Sequence, residues 1–172
     1  AVGHELIVVD NASTDETPAY LAALDRILPA LADPALERPA GRPNPWLRNA
    51  PWALRVITNP DNRGFVEACN QAAAQASGRY LCFLNNDTEP QPGWLEAMVA
   101  VIEGDASVGA VGAKLLFPDG TIQEAGAIVF RDGSANHYCR GMGRFEPAAC
   151  YRREADYCSG AALLVPKGLF LE

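Results

Sequence analysis

The chain has 172 residues, 49% of them apolar and 20% charged, which is length and composition for one folded domain with a sizeable core. Fourteen Lys plus Arg stand against 21 Asp plus Glu, and the net charge of −7 argues against nucleic acid as the main partner while leaving room for a local basic pocket for phosphates. No apolar stretch approaches the ~20 residues of a membrane-spanning helix, and the five cysteines (Cys69, Cys82, Cys139, Cys150, Cys158) are odd in number and hold no CxxC pair, which disfavours a disulfide framework or a structural zinc site.

In chain order, "ELIVVD" (5–10) is a short continuous apolar run, the pattern of a strand buried on both faces. "STDETPAYLAALDRIL" (13–28) reads as a helix, with Ser13 and Glu16 at capping-box spacing and Leu21, Leu24 and Leu28 at helical intervals. Six prolines between Pro29 and Pro51 break the pattern, so 29–53 reads as an irregular surface insertion. "LRVIT" (54–58) is a second strand, "NPDNRG" (59–64) a turn, and "FVEACNQAAAQAS" (65–77) a helix ended by Gly78. "RYLCFL" (79–84) is a third strand, and "PGWLEAMVAVIEG" (92–104) a helix with Pro near its start and Gly at its end. "VGAVGAKLLF" (108–117) holds one or two strands before a tight turn, "FPDGT". From 122 to 160 the alternation fails, and short strands with long loops are expected before a last strand at 161–166. A new helix opens after Pro166 and the sequence stops within it at Glu172, so a fragment is expected.

Alternating strands and helices predict an α/β fold with a mostly parallel sheet and helices on both faces. Ligands of such sheets sit beyond the carboxyl ends of the strands. Asp10, the 59–64 turn and Asn85–Asp87 all fall at such ends. Asp87 suits Mg²⁺ or Mn²⁺, which take oxygen ligands and share them with substrate phosphates; the competing reading is that Asp87 or Thr88 caps the following helix. Asp10, beside Asn11, could accept hydrogen bonds from a nucleobase or ribose, and Ser13 could cap the same turn. Arg63 could grip a phosphate at a helix start, although an exposed Arg in an ordinary turn is the commoner case. His4 and His137 are too far apart in sequence to suggest a site, and Cys158 reads as a small buried thiol.

Together "VVDNASTDET", "NPDNRGFVEACNQAAAQASGRYLCFLNNDTEP", "PGWLEAMV", "VGAVGAKLLFPDGTIQEAGAIVFRDG" and "DYCSGAALLV" resemble the family 2 glycosyltransferases of GT-A fold, most of all the rhamnosyltransferase-like branch of bacterial cell-surface polysaccharide synthesis. The resemblance implies inverting, metal-dependent transfer from a nucleotide-diphosphate sugar to a glycan or lipid-linked acceptor, in the cytoplasm or at the inner face of the membrane. It puts Asp10 and Asn11 at the nucleotide, Arg63 along its pocket, Asn86 at the ribose or sugar, and Asp87 on Mn²⁺ or Mg²⁺. Asn85 and Asn86 stand where an Asp-x-Asp motif can carry acids, so Asp87 is the sole carboxylate there. "DYCSG" (156–160) resembles the segment between donor and acceptor sites. On this reading 1–172 is one incomplete domain, with a nucleotide-binding half at 1–112 and the start of an acceptor-side half at 113–172. The family's opening strand and first helix would precede Ala1, and its general base would follow Glu172; failing that, Asp132, Glu154 or Asp156 are the candidates. A nucleotide- or sugar-binding module without turnover is the alternative. A nucleotidyltransferase is disfavoured, because Asn11-Ala12-Ser13 replaces the glycine-rich loop it would need.

Overall fold

A computed structural model describes residues 4–31 and 53–172, so most of the proline-rich stretch, 32–52, lies outside the described residues. The chain is α/β, and it divides into two units, one up to Gly78 and the other from Arg79.

In the first unit, β1 (Glu5–Asn11) and β2 (Ala53–Asn59) run parallel, with Asp10 opposite Thr58 and Asn11 opposite Asn59. Helices α1 (Thr17–Leu31) and α2 (Gly64–Gln75) pack on them through buried Leu21 and Ala73. Three helix ends differ from expectation. The amide of Thr17 is taken by Asp15 Oδ1 at 3.0 Å, while the Ser13 amide goes to Asp10, so Ser13 does not cap α1. At its other end α1 runs on through Pro29, which costs one hydrogen bond in the last turns and leaves the helix intact to Leu31. Helix α2 ends at Gln75 on an extended Ala76, not on a left-handed Gly78. The stretch after α2 is held by Glu5, whose carboxylate accepts from the Ser77 amide, the Ser77 hydroxyl at 2.7 Å and the Gly78 amide at 3.1 Å.

Those three donors hold the Glu5 carboxyl below the usual glutamate range, the Ser77 hydroxyl most of all. A carboxylate with a lowered native value stabilises the fold above its unfolded value, and that contribution is lost as pH falls through the native one. The wild type should therefore lose more stability than Glu5→Gln when urea titrations at pH 7 are compared with titrations at pH 3. Equal losses would show that the Glu5 clamp contributes nothing.

In the second unit, β9 (Ala162–Pro166) lies between β3 (Tyr80–Leu84) and β4 (Val111–Gly112) and is antiparallel to both. Two antiparallel pairs follow: β5 (Leu115–Leu116) with β6 (Ile122–Glu124), and β7 (Ala127–Val129) with β8 (Ala135–His137). Parallel pairing among the described residues is thus confined to β1 and β2. Helix α3 (Trp94–Gly104) turns Met98 and Ile102 onto Leu164 of β9, and Tyr80, Cys82, Val99 and Val111 close around them. Burial here pushes the Cys82 thiol up to about 11, so it stays protonated and inert at neutral pH. A short helix, α4 (Lys167–Leu171), follows Pro166 and sets Phe170 against Phe83, with ring centroids 4.9 Å apart. All five cysteines are free thiols. Among the described residues no helix is long and apolar enough to cross a membrane.

Candidate functional site

The carboxyl ends of β1 and β2 are tied together by amide side chains. Asn59, 5% exposed, donates from Nδ2 to Asn11 Oδ1 at 3.1 Å and to Gln71 Oε1 at 2.9 Å, and accepts from Gln71 Nε2 at 3.2 Å. Asn11 Oδ1 also accepts from the Arg63 amide at 3.1 Å, and its Nδ2 donates to Asn62 Oδ1 at 2.9 Å and to the Gly64 carbonyl at 3.2 Å. Asn11 is therefore the organiser of the 59–64 turn. Sequence reasoning missed Asn59 and Gln71, because an Asn before Pro reads as a turn former; the signal present was two asparagines ending two adjacent strands in the same register.

Asp10 is 4% exposed and accepts from the Ser13 amide at 3.0 Å. This bond closes a turn in which Ala12 takes a left-handed φ of 65°. Asp10 also lines a cleft of about 210 Å³ with Leu21, Ala22 and Asp25 of α1 and Val56 and Thr58 of β2. The Arg63 guanidinium is not free: Nη1 lies 3.1 Å from Glu67 Oε1, one turn along α2, and Nε lies 4.0 Å from Asp61 Oδ1. With the side chain 36% exposed, this screened pairing fixes its direction more than it adds stability.

In the second unit, β3 gives way to a turn in which the Thr88 amide (3.3 Å) and hydroxyl (2.7 Å) both donate to the Asn85 carbonyl. Asn86 and Asp87 occupy the two central positions and are exposed. Neither makes a hydrogen bond or ion pair to any described residue. The helix-capping reading of Asp87 or Thr88 fails, since α3 begins at Trp94 on a left-handed Gly93 (φ 82°) with no side-chain cap. Among the described residues no three His, Cys, Asp or Glu converge as a metal cage. One carboxylate on an open turn instead suits a cation that completes its shell with substrate oxygens.

The other carboxylates considered are engaged in varying degree. Asp132 accepts from the Ser134 hydroxyl (2.7 Å) and amide (2.9 Å), which lowers its pKa and makes it a poorer base. Asp156 Oδ2 accepts from the Val129 amide at 3.1 Å. Glu154 is exposed. Cys158 packs so close to Gly112 that a Cβ on residue 112 would lie 2.5 Å from Cys158 Cβ; burial, and then the Glu124 carboxylate, raises its thiol.

The model of the family described as "Glycosyl transferase family 2" matches residues 45–165. The chain belongs to that family. The family match contains Asn59, Gln71, Arg63 and Asn85–Asp87; Asp10 and Asn11 precede it, but Asn11 is bonded into the matched turn. Three relatives are similar. The O-antigen biosynthesis protein RfbC of Myxococcus xanthus is 54% identical over 69 residues, 40% of this chain and 5% of that protein. The uncharacterized protein y4gI of Sinorhizobium fredii is 45% identical over 85 residues, 49% of this chain and 9% of its own length. An uncharacterized glycosyltransferase of Haemophilus influenzae is 24% identical over 111 residues, 64% of this chain and 27% of its own. The matched part of this family 2 chain therefore spans less than a third of each of these relatives.

Proposed function

We propose that this chain binds a nucleotide-diphosphate sugar through a GT-A-type arrangement, as part of an enzyme that transfers the sugar, with inversion, to a hydroxyl of a glycan or lipid-linked acceptor. The observation that carries the reading is Asp87: an acid on the turn that follows β3, inside the family match, and bonded to no described residue. Membership of glycosyl transferase family 2 supports the reaction class. The name of the Myxococcus relative, an O-antigen biosynthesis protein, supports a bacterial surface polysaccharide as product; the inner face of the membrane is proposed as the place of work.

In this reading Asp10 and Asn11 receive the nucleoside. The cleft beside Asp10 is walled by aliphatic side chains with carboxylates at Asp10 and Asp25, a setting for a flat heterocycle that donates hydrogen bonds. Arg63 lines the nucleotide pocket with its direction set by Glu67. Asn86 offers an amide to ribose or sugar hydroxyls. Asp87 holds Mn²⁺ or Mg²⁺, which supplies neutralisation of the charge that builds on the departing diphosphate. No residue among 1–172 is assigned as general base.

Asp10→Asn keeps an acceptor for the Ser13 amide and removes the charge, so the turn should survive. Calorimetry with nucleoside diphosphates should show about tenfold weaker binding, the size of a lost charge-assisted hydrogen bond. The loss should be the same with and without Mn²⁺. A loss confined to samples containing metal would contradict the nucleoside role of Asp10.

A further inference from the structure

We propose that Glu124 is a positioning residue for the turn that carries Asn86 and Asp87, acting through the backbone of residues 159–161. The proposal rests on the reading of Asp87 as the metal carboxylate, and every contact it uses lies within the second unit. Glu124 ends β6 and is 3% exposed. A charge so deeply buried is weak evidence of stability, because desolvation offsets much of what its partners return. What the carboxylate supplies is an acceptor where the chain passes between two ladders. Before it, the Asp156 amide donates to the Ala127 carbonyl at 3.2 Å and the Ala127 amide donates to the Tyr157 carbonyl at 2.9 Å. After it, β9 begins at Ala162. Ser159 falls between the two, and its amide donates to Glu124 Oε1 at 2.7 Å. Glu124 Oε2 faces His137 Nδ1 of β8 at 3.0 Å, an ion pair when the imidazole is protonated, so the carboxylate is held from a second side.

From Ser159 the contacts run on to the turn. Ser159 Oγ accepts from the Ala161 amide at 3.2 Å, and the Ala161 carbonyl accepts from the Asn85 amide at 3.0 Å. The Asn85 carbonyl in turn takes the Thr88 amide and hydroxyl, which closes the turn around Asn86 and Asp87. Those two side chains bond to no described residue, so their place is set by the backbone on either side of them. One of the two flanks, Asn85, is anchored on Ala161. The next residue back from Ser159 is Cys158, packed so closely on Gly112 that the segment is already shut on the side of β4. Without the Glu124 acceptor the part-buried Ser159 amide is left to find another, and residues 159–161 and Asn85 move with it. A site built on one carboxylate tolerates little displacement, about 0.5 Å.

The test compares Glu124→Leu, which removes the acceptor, with Glu124→Gln, which keeps one for the Ser159 amide. Ile102→Val, a trimmed core residue on α3, is the control for a general loss of stability. Amide NMR of the unliganded chain reads the place of residues 85–88, and calorimetry with nucleoside diphosphates reads the response to Mn²⁺. Glu124→Leu should shift the 85–88 amides and weaken binding in Mn²⁺ about tenfold or more, the usual loss when a group supporting a metal ligand is removed. Binding without metal should not change, Glu124→Gln should restore both readouts, and Ile102→Val should move neither. Should Glu124→Leu not fold, Ser159→Ala cuts the same path one step nearer the turn and should shift the same amides. Amides at 85–88 that stay in place in the folded variant, or a Mn²⁺ response equal to that of the wild type, would overturn the proposal. So would the same changes in Ile102→Val. A wild type with no response to Mn²⁺ would instead sink the metal reading of Asp87, and the amide shifts alone would then judge whether Glu124 places the turn.

Discussion

Asp87→Ala should abolish the metal-dependent part of nucleotide-diphosphate binding and leave the fold as stable as before. The side chain is exposed on a turn closed by Thr88 and Asn85, and it bonds to no described residue, so its removal breaks nothing in the protein. What it removes is the carboxylate of the turn that follows β3. A charge-assisted contact is worth roughly 1.5–3 kcal/mol, so affinity measured by calorimetry in Mn²⁺ should fall about 10- to 100-fold. Affinity without metal should not change. Unchanged metal dependence in a folded Asp87→Ala protein would remove Asp87 from the metal role.

The largest loss of stability is expected from Leu164→Ala. Leu164 is 1% exposed, sits on β9 between β3 and β4, and is the residue on which Met98 and Ile102 of α3 close. Truncating a leucine so placed removes the transfer energy of the lost carbons and leaves a cavity, a cost of about 2–5 kcal/mol. Urea denaturation followed by circular dichroism measures it. A loss under 1 kcal/mol would mean that β9 is not the centre of that core.

Apolar runs made the strands legible. "ELIVVD", "LRVIT", "RYLCFL" and "AALLVP" are β1, β2, β3 and β9 within a residue or two, and the Pro near the start and Gly at the end of "PGWLEAMVAVIEG" marked α3. The "FPDGT" turn also forms: the Gly120 amide donates to the Phe117 carbonyl at 2.9 Å, with Gly120 at a φ of 85°. Pairing direction was not legible, because a continuous apolar run marks a buried strand without naming its partner. Hence β9, expected as a strand of a mostly parallel sheet, instead lies antiparallel between β3 and β4. Helix starts were misread where several acceptors compete. Ser13, Asp15 and Glu16 all suit a cap, and only the fold shows that Asp10 takes the Ser13 amide and Asp15 that of Thr17.

The candidate site was legible in part. Asp10, Arg63 and Asp87 stand out because an acid or a guanidinium at a strand or helix end has no packing role. The supporting shell does not stand out. Asn59 and Gln71 find each other across 12 residues, from the end of β2 to the middle of α2. No short spacing announces such contacts, and each of these residues alone looks like an ordinary polar surface position.

The most direct test of the central claim is a thermal-unfolding panel of nucleoside diphosphates against this chain, with and without Mn²⁺. A ligand that binds only the native state at a hundred times its dissociation constant adds about 2.7 kcal/mol, or about 5 °C or more for a chain of this size. The account predicts that at least one diphosphate raises the midpoint by that order in Mn²⁺, and raises it less when the metal is withheld. No shift with any diphosphate, or a shift that is the same with and without Mn²⁺, would contradict it.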